Sequence, residues 1–353
     1  MELHPHFRLN GKAYTNKSLW TAAMGWSKDS KAPQKQLGLF LMDWLSERKT
    51  IVLYSSGSTG IPKTIEVPKT SMVASAHRTG SYFGLLAKDS ALLCLPVQYI
   101  AGKMMLVRAM VLGLDLDILP SKTTLNLKGK AYVFTALIPL QAQANFDQLH
   151  HFKTILIGGA PIADELHKSL AKTHPNCFET YGMTETLTHV ATRQVSYPPT
   201  PFTAMPDVTF TLDNDNCLLL NVPYISNKSI ATNDIVEHVD ENSFYLLGRR
   251  DFVINSGGKK IFPELLEQQL KRHLKIPFFF IGLPDKKLGE KLALIIKGNE
   301  QDKVQALEIS INVLGNDKHQ IPKAVFCVDA FEYTFSGKLD RKATIRKVVS
   351  KIS

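Results

Sequence analysis

Leu37, Phe40, Leu41, Trp44 and Leu45 recur at steps of three and four, which predicts a helix over Gln36–Glu47. Thr50–Tyr54 follows as a β-branched, apolar run and reads as a buried strand. Thr64–Val67 alternates like a second strand and stops at Pro68; a helix is predicted over Thr70–Tyr82 and a strand over Ala91–Leu95. Tyr99–Gly113 is apolar nearly all round, the pattern of a buried helix, yet contains Arg108. Strand-like runs recur at Tyr132–Thr135 and Thr154–Ile157, the second ending in Gly158-Gly159-Ala160-Pro161. Pro161 suits the first turn of a helix reaching Lys172. Strand–glycine–helix units of this kind predict a parallel sheet with ligands at its carboxyl edge.

Cys177–Tyr181 reads as a strand running into the polar loop Gly182–Thr186. From Asp207 to Leu247, short alternating runs split by Asp and Asn predict an antiparallel section. Gly248-Arg249-Arg250-Asp251 marks a boundary. Beyond it, Phe252–Asn255 and Lys260–Phe262 flank Ser256-Gly257-Gly258 as a glycine-turned hairpin. A helix over Pro263–His273, strands over Phe278–Leu283 and Leu292–Lys297, a helix over Val304–Leu314 and a strand over Ala324–Val328 complete a small α+β unit. The expected fold class is therefore α/β: a large body over 1–249 with an antiparallel β section, and a small α+β domain over 250–353. Residues 1–34 match no named pattern, and there is no internal repeat or low-complexity segment.

The chemistry concentrates between the first two strands, in Ser55-Ser56-Gly57-Ser58-Thr59-Gly60-Ile61-Pro62-Lys63. Glycines let a backbone approach a ligand closely. Successive N–H groups and hydroxyls can then wrap a polyphosphate, with Lys63 as a point charge. The P-loop spacing does not fit, because Gly57 and Gly60 stand too close and Lys63 does not follow a glycine. A plain polar hairpin turn is the other reading. Arg108 is likewise open to two, since a guanidinium is seldom buried without an anion: a structural salt bridge, or a clamp for a ligand carboxylate.

With 353 residues, 44% apolar and 21% charged, the chain has the length for two domains and the composition of a globular protein. A net charge of +10 suits anionic ligands, but the basic residues are dispersed, with no long run and no aromatic interleaving, which argues against nucleic acid. Cys94, Cys177, Cys217 and Cys327 lie far apart, against a zinc site or disulfide scaffold. The first residues lack an apolar signal core, and the longest apolar stretch, Met104–Leu114, is too short to span a bilayer. A cytoplasmic location without stable membrane association is the expectation; oligomeric state is not readable.

Four segments in order resemble the acyl-adenylate-forming superfamily. They are Ser55–Lys63, Tyr181-Gly182-Met183-Thr184-Glu185, Gly248–Asp251 with the glycine hairpin, and Ser336-Gly337-Lys338-Leu339-Asp340-Arg341. Within it the chain looks most like the o-succinylbenzoate–CoA ligases of menaquinone biosynthesis, in a short form. Leu95–Gly102 followed by Arg108, and Thr184-Glu185-Thr186 followed by His189, carry this finer likeness. There are departures: the glycine loop comes early, only Tyr99 stands where many members have an aromatic or histidine pair, and Thr232-Asn233-Asp234 replaces Thr-Gly-Asp.

The resemblance implies activation of a small carboxylic acid with ATP and Mg2+, then transfer to coenzyme A. It implies that Ser55, Ser56, Gly57, Ser58, Thr59, Gly60 and Lys63 hold the phosphates. Thr184 and Glu185 act at the α-phosphate, with Glu185 on Mg2+ or, alternatively, a helix N-terminal carboxylate. Tyr181 and Gly182 lie along the adenine, unless Tyr181 is a core tyrosine. Asp234 and Arg249 bind ribose, and Lys338 from a mobile small domain bridges carboxylate and phosphate. Asp251 is the hinge, and Ser256, Gly257 and Gly258 face coenzyme A. Tyr99, Gly102, Arg108, Gly158 and Gly159 line the acid pocket; His189 lines it too or is structural. Another aryl- or acyl-CoA ligase, or an enzyme loading a carrier protein, remains an alternative.

Overall fold

A computed structural model describes residues 1–55, 63–333 and 339–349. Among them, thirteen strands make one mixed sheet. Its parallel half runs Arg8–Leu9, Asp115–Ile118, Ser90–Leu93, Tyr132–Leu137, Phe152–Ile157 and Cys177–Gly182. The antiparallel half continues through His189–Gln194, Phe202–Ala204, Ser243–Arg249, Ile230–Asp240, Cys217–Asn221 and Thr209–Leu212.

Alternation along the parallel strands supplies two cores. Leu93, Phe134 and Leu156 face the helices Lys69–Phe83 and Ile100–Leu112. Leu92, Ile155 and Ile157 face the helix Asp164–Thr173 on the other side. Ile100–Leu112 is buried over most of its surface, which explains its lack of a polar face.

The antiparallel half curls over a third core containing Tyr181, Phe202, Phe210, Val236 and Phe244. Tyr181 and Asp234 lie four strands apart in sheet order, about 19 Å in a flat sheet at ordinary spacing. Their side chains are hydrogen-bonded at 2.7 Å, so the sheet folds back on itself here.

A separate five-stranded sheet holds Lys259–Ile261, Ile254–Ser256, Gly289–Lys297, Phe278–Asp285 and Ala324–Val328. Helices Pro263–Leu270 and Glu300–Leu314 cover one face, and residues of Arg341–Val349 pack on the other. It meets the large body through ion pairs of Asp164 with Arg272, Glu165 with Lys275 and Asp213 with Arg250.

The α/β expectation holds, with corrections. Thr50–Ser55 and Lys63–Pro68 form a two-stranded antiparallel hairpin outside the large sheet. Thr50–Ser55 is not buried throughout: Ile51 and Leu53 face the core, while Tyr54 is 70% exposed. Pro161 is not in a helix. The helix starts at Asp164 because Gly159 is left-handed (φ 85°), and the Glu179 carboxylate holds the Ile162 N–H at 3.4 Å. Residues before 34 extend the parallel sheet through Arg8–Leu9 and add a helix, Asn16–Ser27.

Candidate active site

Three loops leave the parallel strands at their carboxyl ends: Cys94–Tyr99, Gly158–Ala163 and Met183–Thr188. The last is drawn tight. A Cβ on Gly182 would lie 2.3 Å from the Thr188 carbonyl oxygen, so only glycine fits where Gly182 pairs with His189. The fully buried Thr186 hydroxyl accepts the Met183 N–H at 2.9 Å, and Leu187 turns the chain at φ 62°. A strand, His189–Gln194, follows. Glu185 is thus a loop residue and not a helix N-terminal carboxylate. It is half-buried and makes no hydrogen bond or ion pair among the described residues. Thr184 stands half-buried beside it.

Arg108 is 3% exposed, and no carboxylate lies within ion-pair distance among the described residues. Its Nη2 donates to Thr188 Oγ1 at 2.6 Å, Nη1 meets Met105 Sδ at 3.7 Å, and Nε is buried without a partner. Burial lowers its pKa to about 10, so the cation persists at neutral pH. The salt-bridge reading of Arg108 is therefore wrong among these residues: this is a buried positive charge without a counter-charge.

His189 is enclosed beside it. Its Nδ1 lies 3.2 Å from Thr188 Oγ1 and Nε2 lies 3.5 Å from Thr79 Oγ1. Burial first, then the Arg108 charge, holds its pKa well below the ordinary value, so the ring is neutral near pH 7. Tyr224, which the sequence does not single out, is raised to about 12 by burial and lies under the Arg78 guanidinium at 4.1 Å.

The nucleotide-side residues form a second group. Asp234 and Arg249 face each other across antiparallel strands. Asp234 Oδ2 accepts the Tyr181 hydroxyl at 2.7 Å, and Oδ1 pairs with Arg249 at 3.0 Å. Arg249 also pairs with Asp251 at 3.2 Å. Tyr181 packs against Phe202 and Phe244 and is 8% exposed, so the face it can offer an adenine is small. Asn233 bridges the boundary. Its amide nitrogen donates to Asp251 at 3.3 Å, and its oxygen accepts from Arg250 at 2.7 Å.

Other expected residues play packing or turning parts. Gly102 lets its helix approach the Pro96 carbonyl, where a Cβ would sit at 2.3 Å. Tyr99 caps that helix. A Cβ on Gly158 would meet Thr180 Oγ1 at 2.4 Å, and Gly159 supplies a left-handed turn. Beneath this loop, Glu179 binds Arg193 at 2.6 Å, a buried pair whose only sequence signal is an acid at an inward strand position. Gly257 and Gly258 turn the hairpin at φ 60° and 81°, with Ser256 buried. Residues 56–62 and 338 lie outside the described residues. Ser55 and Lys63 are known here as paired backbone at the end of the hairpin. Among the described residues, no cluster of three or more His, Cys, Asp or Glu is disposed to hold a metal, and no helix is long and apolar enough to cross a membrane.

Residues 20–223 match the family described as AMP-binding enzyme. The 2-succinylbenzoate–CoA ligase of Listeria monocytogenes serotype 4b is 26% identical over 336 residues, covering 85% of this chain and 70% of its own. An acyl-CoA synthetase (AMP-forming)/AMP-acid ligase II-like protein from Dyadobacter fermentans is 32% identical in sequence. Its crystal structure gives a TM-score of 0.59 over 93% of this chain and 98% of its own. The o-succinylbenzoate coenzyme A synthetase of Bacillus subtilis, in complex with ATP and magnesium ion, gives a TM-score of 0.73. It covers 95% of this chain and 83% of its own at 18% identity, a likeness of fold.

Proposed function

The chain belongs to the AMP-binding enzyme family as an AMP-forming acyl-CoA ligase, and from that premise we propose that its acid is o-succinylbenzoate. Arg108 carries this reading. A cation buried in an apolar helix without a counter-charge among the described residues suits an acid with a second carboxylate. In o-succinylbenzoate the aliphatic carboxylate would react while the aromatic one pairs with Arg108. Neutral His189 would line the same pocket without adding charge. The listerial relative's name supports the same substrate.

The reaction is R-COO⁻ + ATP → R-CO-AMP + pyrophosphate, then R-CO-AMP + CoA-SH → R-CO-S-CoA + AMP. In the first step a carboxylate oxygen attacks the α-phosphorus and negative charge gathers on the phosphoryl oxygens, so positioning and electrostatics dominate. The glycine loop, Ser55 to Lys63, would hold the β- and γ-phosphates, and Thr184 the α-phosphate. Asp234 would hold the ribose hydroxyls. Both of its oxygens keep spare lone pairs beside Tyr181 and Arg249. Lys338 would bridge the attacking carboxylate and the phosphate. The carboxylate of Glu185, without a partner among the described residues, fits a hard divalent cation through oxygen. Bound Mg2+ would neutralise phosphate charge there.

For the second step the small domain would turn about Asp251, withdrawing Lys338 and presenting Ser256, Gly257 and Gly258 to coenzyme A. Asp251→Pro, which locks φ at the joint, is expected to slow thioester formation from supplied adenylate more than pyrophosphate release. Equal loss of both would remove the hinge assignment. Substrate choice is tested by pyrophosphate release with a panel of acids: o-succinylbenzoate should give the highest kcat/KM, and preference for a monocarboxylic acid would reject it.

A further inference from the structure

Arg341 stands three residues beyond Lys338 and is almost fully enclosed. Its guanidinium is bidentate on Glu267, with Nη1 to Oε1 at 2.7 Å and Nη2 to Oε2 at 2.8 Å. The two side chains are 11% and 9% exposed. Nη1 also donates to the Phe280 carbonyl at 3.1 Å, while Glu267 Oε1 accepts the Phe280 N–H at 2.9 Å. The guanidinium carbon lies 4.7 Å from the Phe252 ring centre and 5.6 Å from that of Phe279. Phe252 closes the short turn Arg250–Phe252, next to Asp251. One side chain therefore joins the domain boundary, the helix Pro263–Leu270 and the strand Phe278–Asp285 to the point where the chain returns from the segment bearing Lys338. On either side of that segment, Tyr333 and Leu339 form a bridge, and the Asp340 N–H donates to the Glu332 carbonyl at 2.9 Å.

A buried ion pair is a poor way to gain stability, because apolar residues of similar volume often serve as well or better. The terminal helix already has apolar anchoring, with Ile345 packed against the cluster of Phe279, Ile281 and Ile295. What a bidentate, stacked guanidinium adds is a fixed angle and register, which a lysine cannot reproduce. We propose that Arg341 is a positioning residue for adenylation: through Glu267 and Phe252 it sets the base of the Lys338 segment relative to the domain boundary. This rests on the adenylating role given to Lys338 above.

The test uses the full chain with two variants. Arg341→Lys keeps the charge and loses the fork. Arg341→Met combined with Glu267→Gln removes both charges and keeps an acceptor for the Phe280 N–H, so no buried charge is orphaned. Both are expected to melt cooperatively near the parent. The kcat of pyrophosphate release should fall about 10–100-fold, the scale of a misplaced catalytic group. Thioester formation from preformed acyl-adenylate and coenzyme A should stay within about threefold. Adenylation within about threefold of the parent overturns the proposal. So does a parallel fall in both half-reactions, or failure of both variants to fold, since each marks a purely structural pair. Absence of pyrophosphate release from the parent with every acid would instead remove the ligase reading.

Discussion

Lys338→Ala is expected to lower acid-dependent pyrophosphate release by about 10²–10³-fold, the cost of removing one preorganised charge from a developing oxyanion. The step joins two anions, so their repulsion must be offset at the moment of bond formation. Glycine-loop amides would serve the leaving phosphates, and Arg108 the remote carboxylate. Neither role covers the oxygen that attacks, and the resemblance of Ser336–Arg341 to the superfamily's motif assigns Lys338 to it. A compact ammonium and a planar guanidinium differ in reach and shape, so Lys338→Arg should restore little. Thioester formation from supplied adenylate should survive in Lys338→Ala, because that step forms no bond to phosphorus. Near-parental adenylation in this variant would reject the role.

Arg108→Met should raise the KM for o-succinylbenzoate about 100-fold, the cost of stranding one partner of a buried charge pair. A monocarboxylic analogue, which has nothing to place there, should change by no more than about threefold. Stability separates this from a structural role. Arg108 has no carboxylate partner among the described residues, so removing it strands no buried anion; Thr188 keeps His189 as a neighbour at 3.2 Å. The melting temperature should therefore hold or rise, since the unliganded protein sheds an uncompensated buried charge. A fall in melting temperature, or equal losses for both acids, would reject the clamp.

Arg108 also shows how far a sequence can be read. Its burial is legible from the apolar residues around it. The missing counter-charge is not, because that depends on what other elements bring near, and Thr188 comes from 80 positions along the chain. The strands of the glycine hairpin are legible from their alternation, but their separation from the main sheet is not, since pairing partners are set by tertiary packing. Tyr181 reads as an adenine platform, with a core tyrosine as the alternative. It is enclosed because the antiparallel half curls and carries Asp234 back to it. Arg8–Leu9 and Lys12–Ala13 are two-residue strands, too short for any periodicity to register. Pro161 misleads because Glu179, a buried acid further along, holds the chain extended past it. The motif at Ser336–Arg341 points to Lys338, while the bidentate contact of Arg341 emerges only when Glu267 and Phe252 are folded against it.

The most direct measurement incubates the purified chain with o-succinylbenzoate, ATP, Mg2+ and coenzyme A and follows products by mass. The account predicts o-succinylbenzoyl-CoA together with AMP and pyrophosphate in equal amounts, and accumulation of the acyl-adenylate when coenzyme A is left out. Formation of ADP and phosphate, or a thioester formed without any adenylate intermediate, would contradict it.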